Sequence, residues 1–411
     1  MNNIAMYLPS SIYGGTEILM MRLADFLANN NFAVTIYIKE DSSILQHYQP
    51  SKNINFSFEM ESIENTTLII SSKYIREISY IIKNNSSVSI FIWQLQPIEL
   101  ISQFFPARRF DKKIPIYDKI VDILYLKRRQ KLSSLLLEYH KSESLFFMDS
   151  ENYNKTNDYI KLNLDHPCFI PVAIPFKVSP PQKKTLSHTF NYCVVSRISF
   201  DFKLYSIIHF ITSLDEYALK NNQEIIVHIV GSGDALEVLK DYSVKLSIKC
   251  IFYGFMPPER VSDEIFPLID IFFGMGTSLI DSSMHKIPSI ITNISDENTN
   301  HHHIKYSLLY ETEGYSLGSY SNNGKHSFDV LIKLIESDPE YYGEQCYSYA
   351  KKNHNSSVIF ERIKSFLDKK TGENASNIIN YSQSRSFLDI IFKCFLILYK
   401  LLPNRRKEKN Q

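Results

Sequence analysis

Residues 4–8 have the sequence IAMYL, residues 9–16 follow as PSSIYGGT, and residues 33–38 are AVTIYI. Between the glycines and the second apolar run lies a helix-length segment whose apolar side chains recur at helical spacing. A strand, a glycine turn, an amphipathic helix and a second strand predict one βαβ unit of a parallel sheet. The beginning of the chain therefore predicts an α/β fold.

The same alternation continues along the chain. Further strands are expected at 67–70, 88–93, 145–148 and 168–170, with a long helix at about 118–139. A second series follows, with strands expected at 192–195, 225–230, 248–252, 269–273 and 288–292 and helices at 204–219, 235–241 and 278–286. Short continuous apolar strands between helices indicate parallel strands covered on both faces.

A proline-rich polar segment separates the two series and predicts an interdomain linker. The expected domains are 1–175 and 190–370, both of them Rossmann-like. Residues 176–189 form the linker, and residues 371–411 form a tail with an amphipathic helix. The predicted fold class is α/β, with two doubly wound domains facing each other across a cleft.

Composition excludes several classes of protein. The chain has 411 residues, 44% of them hydrophobic, which suits a folded protein with two cores. Its 45 basic and 44 acidic residues give a net charge of +1, so binding to nucleic acid is not expected. The five cysteines form no CxxC pair, which argues against a zinc cage. The first residues do not resemble a secretory leader, so we expect a cytoplasmic location.

Ligands of open α/β sheets bind outside the carboxyl ends of the strands, so the loops after strands are the candidate sites. Gly14 and Gly15 precede the first helix, where free amides and the helix dipole favour an anion; a plain structural turn is the alternative. Arg197 and Lys203 flank the loop before the next domain's first helix, and two cations suit a diphosphate. The alternative is a solvated loop with an ion pair to Asp201.

Two more loops have candidate ligand groups. Gly231 opens the turn Gly-Ser-Gly after a strand, where a phosphate contact and a purely structural turn are equally compatible. Gly276, Thr277 and Ser278 begin a helix and offer amides to a phosphate. Asp281, one turn later, could accept hydrogen bonds from sugar or ribose hydroxyls, or could simply be an acid near a helix N-terminus.

In this order, these motifs resemble family 4 of the retaining glycosyltransferases, which have the GT-B fold, and in particular its bacterial cell-surface polysaccharide enzymes. The resemblance runs from about residue 3 to about residue 368. It implies that Arg197 and Lys203 bind the diphosphate, that Asp281 contacts the ribose, and that the backbone of Gly254, Phe255 and Met256 lies beside the nucleotide base. It also implies transfer with retention, with domain 1–175 on the acceptor side and domain 190–370 binding the nucleotide sugar. The sequence has no DxD-like motif where this fold would use one, so we expect no metal ion and no other cofactor.

One position departs from that family. Its members often carry two glutamates with seven residues between them, and here Phe273 takes the first position and Asp281 the second. The first glutamate typically contacts the transferred sugar. The identity of the donor sugar is therefore open, and a catalytically degenerate member is an alternative.

Two other motifs have competing interpretations. Gln94 follows a strand where several relatives place an acceptor-side polar residue, so we expect it to line the cleft, while simple packing is the alternative. The run His301-His302-His303 invites a metal site, but it follows a polar stretch rich in Asn and Asp and lacks the carboxylate or cysteine arrangement of a metal site. A solvated loop is therefore the preferred interpretation of that run.

Two basic and apolar segments suggest contact with a membrane surface. Residues 104–131 combine phenylalanines with lysines and arginines, and residues 387–402 form an apolar run that Arg405, Arg406 and Lys407 follow. This run is shorter than the roughly 20 residues that span a bilayer, and its polar stripe is typical of an interfacial helix. Packing against the first domain is the alternative.

The sequence thus predicts a glycosyltransferase that moves a sugar from a nucleotide-diphosphate sugar to a lipid-linked glycan acceptor. It would act in bacterial surface polysaccharide synthesis (O-antigen, capsule or exopolysaccharide), peripherally attached to the inner face of the cytoplasmic membrane. A nucleotide-sugar epimerase with the same fold is a second hypothesis, although no convincing acid–base set is present. A non-catalytic scaffold is the third.

Overall fold

The computed structural model describes residues 3–11, 14–49, 53–59, 63, 65–82, 87–105, 125–176, 189–200, 203–319, 323–369 and 373–374. The chain divides into two units. Unit 1 contains residues 1–148, 152–170 and 363–411, and unit 2 contains residues 149–151 and 171–362.

The strands in chain order are β1 Asn3–Leu8, β2 Ala33–Ile38, β3 Ile54–Ser57, β4 Thr66–Ser71, β5 Ser89–Gln94, β6 Leu145–Phe147, β7 Phe190–Val195, β8 Ile225–Val230, β9 Lys249–Gly254, β10 Ile271–Gly274, β11 Ser289–Ile291, β12 Ser307–Leu308 and β13 Glu373–Asn374. The α-helices are α1 Gly15–Asn29, α2 Ile44–His47, α3 Ile75–Ile81, α4 Glu99–Phe104, α5 Leu126–Lys141, α6 Ser150–Ile160, α7 Leu204–Asn221, α8 Leu236–Ser243, α9 Pro258–Arg260, α10 Thr277–Ser283, α11 Phe328–Ser337, α12 Pro339–His354 and α13 Ser356–Asp368.

The sheet of unit 1 has the parallel order β3-β2-β1-β4-β5-β6, and β13 pairs with β5 in the antiparallel sense. This is the doubly wound order in which the chain reverses direction across the sheet beside its first strand. Side chains of the central strands, among them Leu68, Ile70, Ile90 and Ile92, are buried in the unit's core. The reversal point lies between β1 and β4.

The sheet of unit 2 repeats this plan. Its parallel order is β9-β8-β7-β10-β11, and β12 closes the edge in the antiparallel sense. The first strand of the unit, β7, therefore lies between β8 and β10. Its reversal point falls between β7 and β10. The loops that follow these two strands contain Arg197, Lys203 and Gly276, the residues that the sequence singled out.

The structure differs from the sequence prediction at some boundaries. The helix expected at 118–139 corresponds to α5, and residues 118–124 of that expectation lie outside the described residues. The strand expected at 168–170 forms only a single bridge between Phe169 and Phe147. Residues 171–174 belong to unit 2, where the amide of Ile174 donates to the His354 carbonyl (2.8 Å). The expected linker is described only at residues 176 and 189, and the tail only at 373–374.

The end of α13 belongs to unit 1. Phe366 packs against Phe146 with ring centroids 5.0 Å apart, and Lys369 Nζ lies 2.9 Å from Glu143 Oε2. Both contacts are made to the segment around β6. The chain therefore returns to its first unit after completing the second, which the hydrophobic pattern alone did not indicate.

Candidate functional site

The loop after β7 is fixed by its backbone. The Ile198 amide donates to the Ser232 carbonyl (3.0 Å), and the Ala235 amide donates to the Ile198 carbonyl (3.1 Å). Leu204, the first residue of α7, donates its amide to Ser199 (3.1 Å). Arg197 is exposed on this anchored loop, and Lys203 is half-buried directly before α7. Arg197 therefore lies in a loop that backbone hydrogen bonds hold in place, and Lys203 lies at the start of α7; residues 201 and 202 between them lie outside the described residues.

Gly231 is required by close packing and does not offer a free amide. A Cβ at Gly231 would lie 1.8 Å from the carbonyl oxygen of Ser196, and its φ of +135° favours glycine. Its N–H donates to the Gly254 carbonyl (2.7 Å). Of the two interpretations of this turn, these contacts favour the structural one, because the glycine brings the β8 loop against the loop that holds Arg197 and its amide is already engaged.

The turn after β9 presents an exposed aromatic ring. Gly254 has a φ of +69°, so the chain turns sharply there. Phe255 is 74% exposed, whereas Met256 is buried. An exposed phenylalanine has a free face that can pack on a planar group. Of the three residues predicted beside the base, Phe255 is thus the one whose side chain is accessible, and the Gly254 carbonyl is already engaged by Gly231.

The helix α10 begins after a loop of only two residues. Gly276 has a φ of +81°, and its amide donates to the Leu317 carbonyl (2.8 Å), so this amide is not available for phosphate as predicted. Thr277 and Ser278 open the helix, where the first amides have no acceptor within the helix. Asp281 is half-buried in the next turn of the same helix.

Phe273 lies inside the core of unit 2. Its side chain has no exposed area, and its ring stacks on Phe210 with centroids 3.9 Å apart and an interplanar angle of 9°. It belongs to β10, where it pairs with Ile290 of β11. The position at which family 4 carries a sugar-contacting glutamate is therefore a structural one in this chain.

In unit 1, the turn before α1 is held by its own glutamate. The Gly14 amide donates to Glu17 Oε2 (3.1 Å), which closes a capping interaction at the helix start. The Gly14 amide is therefore occupied by a side-chain carboxylate, which corrects its prediction as an anion donor. Gly15 is exposed, and a Cβ there would meet no atom within 4 Å.

A polar cluster lies at the reversal point of unit 1 and was not predicted from the sequence. Glu99, which begins α4, accepts a hydrogen bond from the hydroxyl of Ser71 at the end of β4 (3.1 Å). Burial raises the pKa of the Glu99 carboxyl to about 7, and Glu17 adds to the rise, while Ser71 and Lys73 oppose it. Burial and the charges of Glu17 and Glu99 also raise the pKa of Tyr74, to about 12.

This cluster can exchange a proton and bind hydroxyls. A carboxyl with a pKa near 7 changes between donor and acceptor under physiological conditions. The sequence signal was weak because the two contributing residues, Ser71 and Glu99, are 28 positions apart and lie on segments without glycine motifs. Adjacent pairing of β4 and β5 brings these segments together.

Gln94 does not have the predicted role. Its side chain has no exposed area, and its Nε2 donates to Thr156 Oγ1 (2.7 Å). The hydrogen bond ties the end of β5 to α6 inside unit 1. This burial corrects the expectation that Gln94 lines a cleft. The strand β5 continues through residue 94, and the side chain there packs against α6.

Solved structures with this architecture match nearly the whole chain. HepE of Anabaena, determined with UDP and glucose, is 10% identical; the match covers 90% of this chain and all of that one, with a TM-score of 0.55. The lipopolysaccharide outer core galactosyltransferase WaaB is 12% identical with the same coverage and a TM-score of 0.53. AviGT4, a glycosyltransferase of avilamycin A biosynthesis, is 8% identical over 90% of this chain and 98% of its own, with a TM-score of 0.51.

The chain has the GT-B fold. This confirms the predicted fold class, two doubly wound α/β units. At these identities the similarity concerns the fold. No family model matches the sequence, and no curated protein does so.

The predicted membrane contacts lie largely outside the described residues of this GT-B chain. Residues 106–124 and 375–411, which include most of both basic segments, are not described. Within the described part, no helix has the length and apolar character that crossing a bilayer requires.

Proposed function

We propose that the protein is a glycosyltransferase that transfers a sugar from a nucleotide-diphosphate sugar to a glycan acceptor. The observation that carries this proposal is the position of Arg197, Lys203 and the start of α10. All three belong to loops that leave β7 and β10, the two strands at the reversal point of unit 2. Reversal points of doubly wound sheets are where such folds bind nucleotides.

In this proposal, unit 2 binds the donor. Arg197 and Lys203 hold the diphosphate, together with the amides of Thr277 and Ser278 at the helix start. Asp281 accepts hydrogen bonds from ribose hydroxyls, and Phe255 packs on the base. The HepE structure contains UDP, which makes a uridine nucleotide the first candidate to test.

The chemistry follows from charge on the leaving group. When the bond from the sugar to the diphosphate breaks, negative charge develops on the departing oxygen, and fixed cations stabilise that charge most in the transition state. Among the described residues of the proposed donor site, Asp281 is the carboxylate to which we assign a role, and that role is to bind the ribose rather than to attack the sugar. We therefore propose retention by departure and attack on one face, without a metal ion.

Unit 1 supplies the acceptor side. Glu99, Ser71 and Lys73 form a polar group that suits sugar hydroxyls, and the raised pKa of Glu99 lets its carboxyl accept a proton near neutrality. We propose that this group takes the place that the sequence analysis gave to Gln94.

The biological setting is proposed from the named neighbour and the sequence. WaaB acts on the lipopolysaccharide outer core, and this chain's apolar and basic segments suit a lipid-linked acceptor at the inner membrane face. Synthesis of an O-antigen, capsule or exopolysaccharide by a peripherally attached cytoplasmic enzyme fits these features.

A transfer assay tests the proposal. Membranes that contain lipid-linked glycans would be incubated with the purified protein and radiolabelled UDP-sugars. We expect label in the lipid fraction with one sugar, and a loss of turnover of about a hundredfold or more in Arg197→Ala and Lys203→Ala. Full activity of both variants would refute the phosphate assignment.

A further inference from the structure

Residues 293–303, which we call the helix strap, lie along one face of α7. Three hydrogen bonds join this strap to the early turns of the helix, from Ser206 to the Asn293 carbonyl (2.9 Å), between His209 and Ser295 (3.0 Å), and from Tyr205 to Glu297 (3.1 Å). The strap ends in a short 3-10 turn, His301–His303, which the Asn300 side chain caps by accepting from the His302 amide (3.0 Å). The two histidines at its start are therefore held in a defined turn.

The end of the strap meets a carboxylate of the same helix. Glu216 follows His209 by seven residues, so both lie on one face of α7. Its Oε1 is 3.0 Å from His301 Nε2, and its Oε2 is 3.6 Å from His302 Nδ1. These ligand-type atoms all lie within 4.8 Å of one another. The carboxylate that approaches the histidines thus belongs to a residue 85 positions before His301.

The distances between these nitrogen and oxygen atoms suit ligands of one metal ion. In a tetrahedral zinc site with bonds of about 2.0–2.1 Å, neighbouring ligand atoms are about 3.3 Å apart. At 3.6 Å, His302 Nδ1 and Glu216 Oε2 are too far apart for a hydrogen bond but close to the spacing of two ligands of one ion, and His301 Nε2 and Glu216 Oε1 are at hydrogen-bond distance. Two imidazoles and one carboxylate are a ligand set that zinc uses in proteins.

We propose that Glu216, His301 and His302 bind a divalent transition-metal ion of the zinc type, which fastens the helix strap to α7. All three side chains are accessible, with exposures of 49%, 21% and 62%, so an ion can enter and water can complete its coordination. Glu216 lies 13 residues beyond Lys203, or about 20 Å along the helix axis. The site is thus distinct from the proposed donor site, and its role is to hold the strap.

Calorimetric titration with ZnCl₂ tests this inference on the full-length protein after removal of any histidine tag. We expect saturable binding of one ion, about tenfold or more weaker in His301→Ala and in His302→Ala. The neighbouring variant His303→Ala is the control and should bind like the wild type. Binding of UDP, measured in parallel, should be the same in all four proteins.

Two results would overturn the inference. The first is the absence of saturable zinc binding to the wild type. The second is an equal loss of affinity in His303→Ala, which would show that the histidine run binds metal without the specific geometry around Glu216. Failure of UDP binding in every protein would concern the proposed donor site and leave the metal result intact.

Discussion

Phe273 stands at a motif position where family 4 often has a glutamate, but in this chain it is a core residue. The sequence resemblance to family 4 implies a sugar-contacting glutamate at this position, but in unit 2 the ring of Phe273 is fully buried against Phe210. A loop of two residues between β10 and α10 leaves position 273 within the strand. The sequence could identify the substitution, but only the strand register shows why a carboxylate is excluded there.

Phe273→Glu should therefore destabilise unit 2. Burying an unpaired carboxylate in place of a stacked ring should cost about 4 kcal/mol or more of unfolding free energy. Phe273→Leu, the apolar control, should cost about 1–2 kcal/mol. Urea denaturation followed by circular dichroism measures both. If the glutamate variant is as stable as wild type, the position of Phe273 in the core is wrong.

Gly231 offers a second test at the residue scale. Gly231→Ala places a methyl group against the Ser196 carbonyl and requires an unfavourable φ, so we expect a loss of about 2 kcal/mol or more. Gly15→Ala is the matched control, because nothing surrounds that position. The difference in melting temperature between the two variants is the measurement. Equal stability would contradict the close contact between the β7 and β8 loops.

At the scale of elements, Glu99 links the start of α4 to the end of β4 and makes stability depend on pH. Its folded pKa of about 7 lies above the ordinary value of 4.5, so between these values the folded chain holds more protons than the unfolded chain. The contribution of Glu99 to the free energy of unfolding therefore falls as pH rises from about 4.5 to 7, by at most about 1.4 kcal/mol per pH unit, and is constant above pH 7.

Glu99→Gln should remove that pH dependence. The amide keeps the size of the side chain but carries no charge, so the variant should gain stability relative to wild type as pH rises from 5 to 8. Glu77→Gln serves as the control, since Glu77 is exposed and accepts from Tyr7. Chemical denaturation at each pH is the measurement. Parallel pH profiles for wild type and Glu99→Gln would show that burial does not perturb this carboxyl.

The elements themselves could largely be predicted from the sequence. Apolar runs such as 33–38 and 225–230 match β2 and β8. Nearly all residues of β8 are buried, as expected for a strand covered on both faces, whereas buried and half-buried residues alternate along β2. The polar cluster around Glu99 could not be predicted, since it depends on which strands are neighbours. The same holds for Gln94, whose burial follows from packing against α6.

At the scale of the whole molecule, the two units repeat one plan. Each has its reversal point beside its first strand, and each concentrates polar or charged residues in the loops that leave that point. The boundaries of the two units were harder to predict than the order of their helices and strands along the chain. The return of α13 to unit 1 depends on contacts such as Phe366 with Phe146, which pair residues more than two hundred positions apart.

The central claim is that unit 2 binds a nucleotide diphosphate through Arg197 and Lys203. The most direct test is calorimetric titration of the purified protein with UDP, GDP, CMP and dTDP. Lys220→Ala and Arg260→Ala are matched controls, because each removes a cation of unit 2 that is paired elsewhere, with Asp329 and Glu264.

We predict saturable binding of one nucleotide type to wild type, with affinity about tenfold to a hundredfold lower in Arg197→Ala and Lys203→Ala, as expected for lost charge-assisted hydrogen bonds. Lys220→Ala and Arg260→Ala should bind like wild type. Equal weakening in all four variants, or no binding of any nucleotide, would contradict the account, and the second result would favour a non-catalytic scaffold.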